Sequence, residues 1–132
     1  GVWVSTLNKC EYCVKHHFAG LKRLLADDKK AAQIKAAIDS NNIEAAPLDE
    51  RQKIAIAYAR QLTCSPGSVV EDIIKKMRAS GYSDGEILEI NQVSAYFNYA
   101  NRTVLGLGCS ADGDILGLSP NNSNDPNDWG HT

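Results

Sequence analysis

Apolar residues recur along this chain at intervals of three and four, the period of a single buried helix face, and nowhere alternate convincingly with polar ones as strand residues do. Val14, Phe18, Leu21 and Leu25 predict a helix from Lys9 to about Ala26. A second is expected from about Asp28 to Asp39, built on good helix formers such as Ala31, Ala32 and Lys35, with Ile34, Ala37 and Ile38 as its stripe and Ser40-Asn41-Asn42 as its stop. A third follows Pro47. Its acids Asp49 and Glu50 suit the positive end of a helix, Ile54, Tyr58 and Leu62 trace its face, and it ends before Pro66-Gly67. The fourth, about Val69 to Ser80, should bury Val70, Ile73, Ile74 and Met77 and close on Gly81 as a left-handed cap. The fifth, from Asp84 to about Leu105, keeps Ile87, Ile90, Val93, Phe97, Ala100 and Val104 in helical register, which marks it as the central strut, with Gly106 and Gly108 ending it. Asn8 with Glu11, Ser68 with Glu71 and Ser83 with Glu86 have the spacing of helix-start capping pairs. Gly1 to Leu7 reads as a helix cut open, with sequence upstream expected to be missing.

At 132 residues, 43% hydrophobic and 23% charged, the chain suits one all-α globular domain. Fourteen basic residues against sixteen acidic ones leave a formal charge of -2, with no basic block for a phosphate backbone, so nucleic acid is an unsuitable partner. The longest uncharged stretch, Ile90 to Asn101, falls short of the roughly 20 apolar residues a membrane helix needs. The opening has no basic region or cleavage site of a signal peptide, and four cysteines are too few for a disulfide-rich scaffold. A cytoplasmic protein whose thiols do chemistry is the expectation. Beyond Cys109 the composition shifts to Asn, Asp, Pro, Gly and Ser, which divides a helical domain, 1–109, from an irregular tail, 110–132. Trp129 fits either a docked anchor or a disordered end. Two glycosylation-like triplets, Asn101-Arg102-Thr103 and Asn121-Asn122-Ser123, read as chance matches.

Candidate chemistry concentrates in Cys10-Glu11-Tyr12-Cys13-Val14-Lys15-His16-His17. On a helix, Cys10 and Cys13 are neighbours at about 5 Å between Cα atoms, close enough for a disulfide without refolding. His17, one turn beyond Cys13, can accept the thiol proton, and the helix N-terminus favours a thiolate. Redox chemistry is the favoured reading over inert cysteines or zinc, because Cys64 and Cys109 are isolated and His131 lies in the tail. His16 points about 100° away from His17 and reads as a surface histidine. Cys64 and Cys109 read as small residues at helix ends. Tyr96, Phe97 and Tyr99 fit either a substrate cavity or core.

The Cys10-x-x-Cys13-x-x-x-His17 motif opening a helix resembles the AhpD-like alkylhydroperoxidases of the carboxymuconolactone decarboxylase superfamily, in its peroxidase-related branch. Leu48 to Arg51, Tyr58 to Thr63 and Pro66 to Val69 resemble the branch's middle segment, and Tyr96 to Arg102 with Gly106-Leu107-Gly108 its closing helix. The resemblance covers about residues 2–109 and implies an AhpD-like helical bundle, assembled as a homo-oligomer, that reduces alkyl or hydrogen peroxide. By position it implies Cys13 as the attacking thiol, Cys10 as the resolving thiol and His17 as the proton relay. An external dithiol, such as a lipoyl-type reductant, would recycle the pair, with no metal, flavin or other bound cofactor. The family's relay also uses a Glu twelve residues before the first Cys, a position that would precede Gly1, and this chain has Tyr12 where AhpD proper often has a His. The missing Cys pair of superfamily decarboxylases disfavours that activity here. Nearness to the helix end favours Cys10 as attacker, whereas nearness to His17 favours Cys13, and Cys13 is the choice. The alternative function is a thiol-disulfide oxidoreductase or redox sensor acting on protein thiols.

Overall fold

The computed structural model describes residues 1–117, which form six α-helices and two short 3-10 turns, with no strand among the described residues. The helices are α1 (Val2–Leu7), α2 (Glu11–Leu25), α3 (Asp28–Asp39), α4 (Glu50–Cys64), α5 (Glu71–Ala79) and α6 (Asp84–Gly106). The all-α architecture is as expected, and α3 takes the bounds its composition predicts. Trp129, His131 and the triplet Asn121-Asn122-Ser123 lie outside the described residues.

Of the three expected capping pairs, only Ser83 with Glu86 forms a capping box. Asn8 instead ends α1, and Ser68 belongs to a 3-10 turn, so α2 begins after Cys10 and α5 after Val70. A second capping box, unforeseen, joins Asp49 to Gln52 at the start of α4, and Asp27 caps α3 through the Lys30 N–H at 2.9 Å. Spacing alone could not choose among these, because a polar side chain near a helix start can equally close the helix before it.

Helices α1, α3, α5 and α6 all stop by one device. A left-handed residue, respectively Lys9, Asn41, Gly81 and Gly108, reverses the chain. The next N–H then reaches back to a carbonyl in the last turn: Cys10 to Ser5 at 2.9 Å, Asn42 to Ala37 at 2.9 Å, Tyr82 to Met77 at 3.2 Å and Cys109 to Val104 at 3.1 Å. This six-to-one bond meets carbonyls that the helix leaves without partners.

Helix α1 lies inside the fold beside the long α6, the expected strut, which touches α1, α2, α4 and α5. Val2, Trp3, Val4 and Ser5 are all buried, and α1 touches α2, α3, α4 and α6. A short helix that is apolar on nearly every side is stable only inside a protein. Around it lies one apolar cluster with Ile34, Ala37, Ile38, Ala46 and Ala59, flanked by Phe18, Leu21, Leu25 and Phe97. A second cluster gathers Tyr58, Met77 and Ile87 from α4, α5 and α6. Helix α4 links the two through the adjacent Ala59 and Tyr58. The face of α6 departs from its apolar pattern: Val93 is 51% exposed, whereas Ser94 and Asn101 are buried. Val70, expected inside, is 52% exposed, because it precedes the first turn of α5 instead of lying within the helix.

After α6 the chain returns along α2. Asp114 Oδ2 lies 2.9 Å from His16 Nε2, and Arg23 donates to the carbonyls of Gly117 at 2.9 Å and Leu116 at 3.2 Å.

Candidate functional site

The corner between α1 and α2 builds the site. Lys9 adopts φ 58, which turns the chain sharply and leaves Cys10 as the N-cap of α2, with φ -87 and ψ 86. Cys13 is then the third helical residue. N-cap and third positions face each other in a capping box, so the two thiols come together by the geometry that elsewhere pairs a Ser with a Glu. Cys10 is therefore not helical, as spacing predicted, yet it stays beside Cys13. Both are free thiols, and both are buried, at 0% and 4% exposure. No side chain caps α2, so the first-turn amides remain open to negative charge near Cys10.

A polar network that sequence reasoning missed lines the inner wall. Asn101 on α6 is completely buried; its Nδ2 donates to Ser5 Oγ at 3.0 Å, and its Oδ1 accepts from Asn8 Nδ2 at 3.0 Å. Asn8 Nδ2 also donates to Asn98 Oδ1 at 2.9 Å. Asn98 in turn donates to Thr63 Oγ1 at 3.0 Å and to the Ser94 carbonyl at 2.9 Å. The one available sequence signal was the repeat of polar residues at Ser94, Asn98 and Asn101 on what the periodicity made an apolar helix. Buried polar groups with complete partners fix one arrangement of the helices that carry them.

Electrostatics at the pair run against the expectation of a ready thiolate. The Cys13 thiol is pushed up to about 11, chiefly by burial and then by the neighbouring Cys10, while the Asn101 side chain acts in the lowering direction. His17 is shifted down, chiefly by burial and also by the neighbouring His16. It is therefore neutral near pH 7, suited to accept a proton and carrying no standing charge to favour a thiolate. Its ring packs edge-on against Phe97 with centroids 4.7 Å apart. Tyr12 is shifted up by burial and then by Asp114, Cys109, Cys13 and Cys10.

The remaining sequence candidates fall elsewhere. His16 is a partner of Asp114, stacked at a tilt on Tyr12 with centroids 4.6 Å apart, instead of a free surface histidine. Cys64 and Cys109 are exposed at helix ends. Tyr96 and Tyr99 are exposed, at 62% and 69%, so they form neither core nor a cavity wall. Among the described residues no three His, Cys, Asp or Glu side chains gather as metal ligands. A shallow depression of about 290 Å³, lined by Thr6, Lys9, Glu11, Val14, Lys35 and Asp39, opens beside the corner.

A solved structure of an uncharacterised peroxidase-related protein from Silicibacter sp. TM1040 is similar to 83% of this chain, with a TM-score of 0.71 and 28% sequence identity. The chain shares the all-helical fold of that structure. That agrees with the AhpD-like resemblance of its sequence. The chain spans about half, 55%, of the length of that peroxidase-related protein. No protein-family profile and no curated protein matches the sequence. Among the described residues, no helix is long and apolar enough to cross a membrane.

Proposed function

We propose that the protein is a thiol peroxidase that reduces alkyl or hydrogen peroxide through Cys13, Cys10 and His17. The observation that supports this most is the meeting of two buried free thiols at the first turn of α2, one helical turn before a neutral imidazole. The peroxidase-related description of the structural neighbour supports the same reading at the level of fold.

In this reaction His17 takes the Cys13 proton, and the sulfur attacks one peroxide oxygen. An S–O bond forms as the O–O bond breaks, and the departing alkoxide takes the proton from His17 and leaves as the alcohol, or as water from hydrogen peroxide. Cys10 then attacks the sulfenic acid on Cys13. The S–S bond forms, the S–O bond breaks, and the hydroxyl leaves with the Cys10 proton as water. An external dithiol returns two electrons and two protons by disulfide exchange and is itself oxidised to a disulfide. A bound metal or flavin has no part in this cycle. Exposed Leu88, Tyr96 and Tyr99 on α6 suit burial against a second copy, so the working form is read as a homo-oligomer.

The test is peroxide consumption by the reduced protein with and without a dithiol such as lipoamide. Multiple turnovers that need the dithiol, together with a trappable sulfenic acid on Cys13 in Cys10→Ser, are expected. Rapid disulfide exchange without peroxide consumption would replace this reading with that of a thiol-disulfide oxidoreductase.

A further inference from the structure

An asparagine side chain has two N–H donors on one arm and an acceptor oxygen on the other, so its orientation matters only if something fixes which arm points where. Here the fixing begins at groups of one polarity. The Ser94 backbone carbonyl can only accept, and it takes Asn98 Nδ2 at 2.9 Å. The Arg102 guanidinium can only donate, and it meets Asn98 Oδ1 at 3.0 Å. With Asn98 set, its Oδ1 requires a donor from Asn8, whose Nδ2 lies 2.9 Å away. The same Asn8 nitrogen lies 3.0 Å from the side chain of Asn101, which must therefore present Oδ1 there. Asn101 Nδ2 is left pointing the other way, with one proton on Ser5 Oγ at 3.0 Å. The second proton belongs to a side chain with no exposed surface, so no bulk water meets it.

We propose that Asn101 donates this second amide proton to the Cys13 sulfur and is the group that stabilises the Cys13 thiolate, with Asn8, Asn98 and Ser5 as the residues that aim it. Asn101 also acts in the lowering direction on the Cys13 thiol, against burial. The titratable groups near Cys13 are Cys10 and Tyr12, both neutral acids, and His17 one turn on, which is neutral near pH 7, so none of them adds a standing positive charge. A donor held ready in a dry site stabilises developing charge without first having to reorient. Ser5 has a double part, since its carbonyl holds the Cys10 N–H at 2.9 Å while its hydroxyl holds Asn101.

The catalytic meaning of this contact rests on Cys13 being the reacting sulfur, but the contact itself is testable without peroxide. The reduced full chain is alkylated with iodoacetamide between pH 6 and 11, and modification of Cys13 is followed by peptide mass spectrometry. Asn101→Ala is expected to move the Cys13 profile up by about one pH unit, which slows alkylation at pH 8 about tenfold. Asn101→Asp, of equal size but with a carboxylate in place of the donor, should move it further. Ser5→Ala removes one oxygen, leaves little space, and should give a smaller shift of the same sign. Unchanged profiles in folded Asn101→Ala and Ser5→Ala overturn the proposal; if Asn101→Ala does not fold, Ser5→Ala decides alone. Shifted profiles in a protein that consumes no peroxide sustain the role of Asn101 and sink the peroxidase reading instead.

Discussion

The imidazole of His17 stands edge-on to the ring of Phe97, with centroids 4.7 Å apart and planes at 81°. Helix α6 thus braces the proposed proton acceptor on one side and, through Asn101, walls the thiols on the other. Removing any member of this arrangement has a separable consequence.

His17→Ala should lower peroxide consumption near pH 7 by about 100-fold, the usual contribution of a positioned base. Loss of the edge-on contact should cost only about 1 kcal/mol of stability. Steady-state rates and thermal melting of the variant check both halves, and rescue by added imidazole is expected. A rate within twofold of the parent would remove His17 from the mechanism.

The pH dependence follows from two shifts. A Cys13 thiol raised to about 11 stays protonated in the folded chain after the unfolded one has ionised. The unfolded state then binds fewer protons, so stability should fall as pH rises from about 9 toward 11. His17 is shifted the opposite way for a base. Its neutral folded form loses to the protonated unfolded form as pH drops below about 6.5. Chemical denaturation across pH should show both declines, and alkylation of Cys13 should climb about tenfold per pH unit through the alkaline range.

Lys9 sits at φ 58, where a side chain is strained and glycine is not. Lys9→Gly should therefore stabilise the corner by about 0.5–1 kcal/mol and raise the melting temperature by a few degrees. A lower melting temperature would show that the lysine side chain contributes more than its backbone costs.

Gly117 has φ 75, and a Cβ there would stand 2.8 Å from the Gly20 nitrogen and 2.9 Å from the Ala19 carbonyl carbon. Those are backbone atoms of α2 and cannot move aside. Gly117→Ala should lift residues 111–117 from α2 and break the His16–Asp114 contact. Faster amide exchange over that segment, with the melting temperature nearly unchanged, is the expected result.

How much of this was legible from sequence depended on whether local chemistry or packing decided it. Helix α3 matched its prediction because strong helix formers run unbroken to Asp39, and Gly81 was recognisable because glycine is the usual left-handed cap. Lys9 occupies the same conformation without the telltale residue, so α2 was expected to start too early and Asn8 to cap the wrong helix. That Cys10 and Cys13 lie together could be read from their spacing. The direction of the Cys13 shift could not, since burial comes from α1 and α6, and α6 begins about seventy positions further along the chain. The network of Ser5, Asn8, Asn98 and Asn101 was invisible for the same reason: the bonds from Asn8 to Asn98 and Asn101, and from Asn101 to Ser5, join residues from opposite ends of the domain.

Cys10 occupies the position where a helix is best served by Ser, Thr, Asp or Asn, and its sulfur caps nothing. Cys10→Ser should supply the missing acceptor and gain about 1 kcal/mol, visible as a higher melting temperature. A selection for heat resistance would thus enrich a protein that had lost one thiol of the proposed pair. On the proposed chemistry, robustness and turnover pull in opposite directions at this one residue, and retention of the sulfur there would be the mark of a lineage kept for its chemistry.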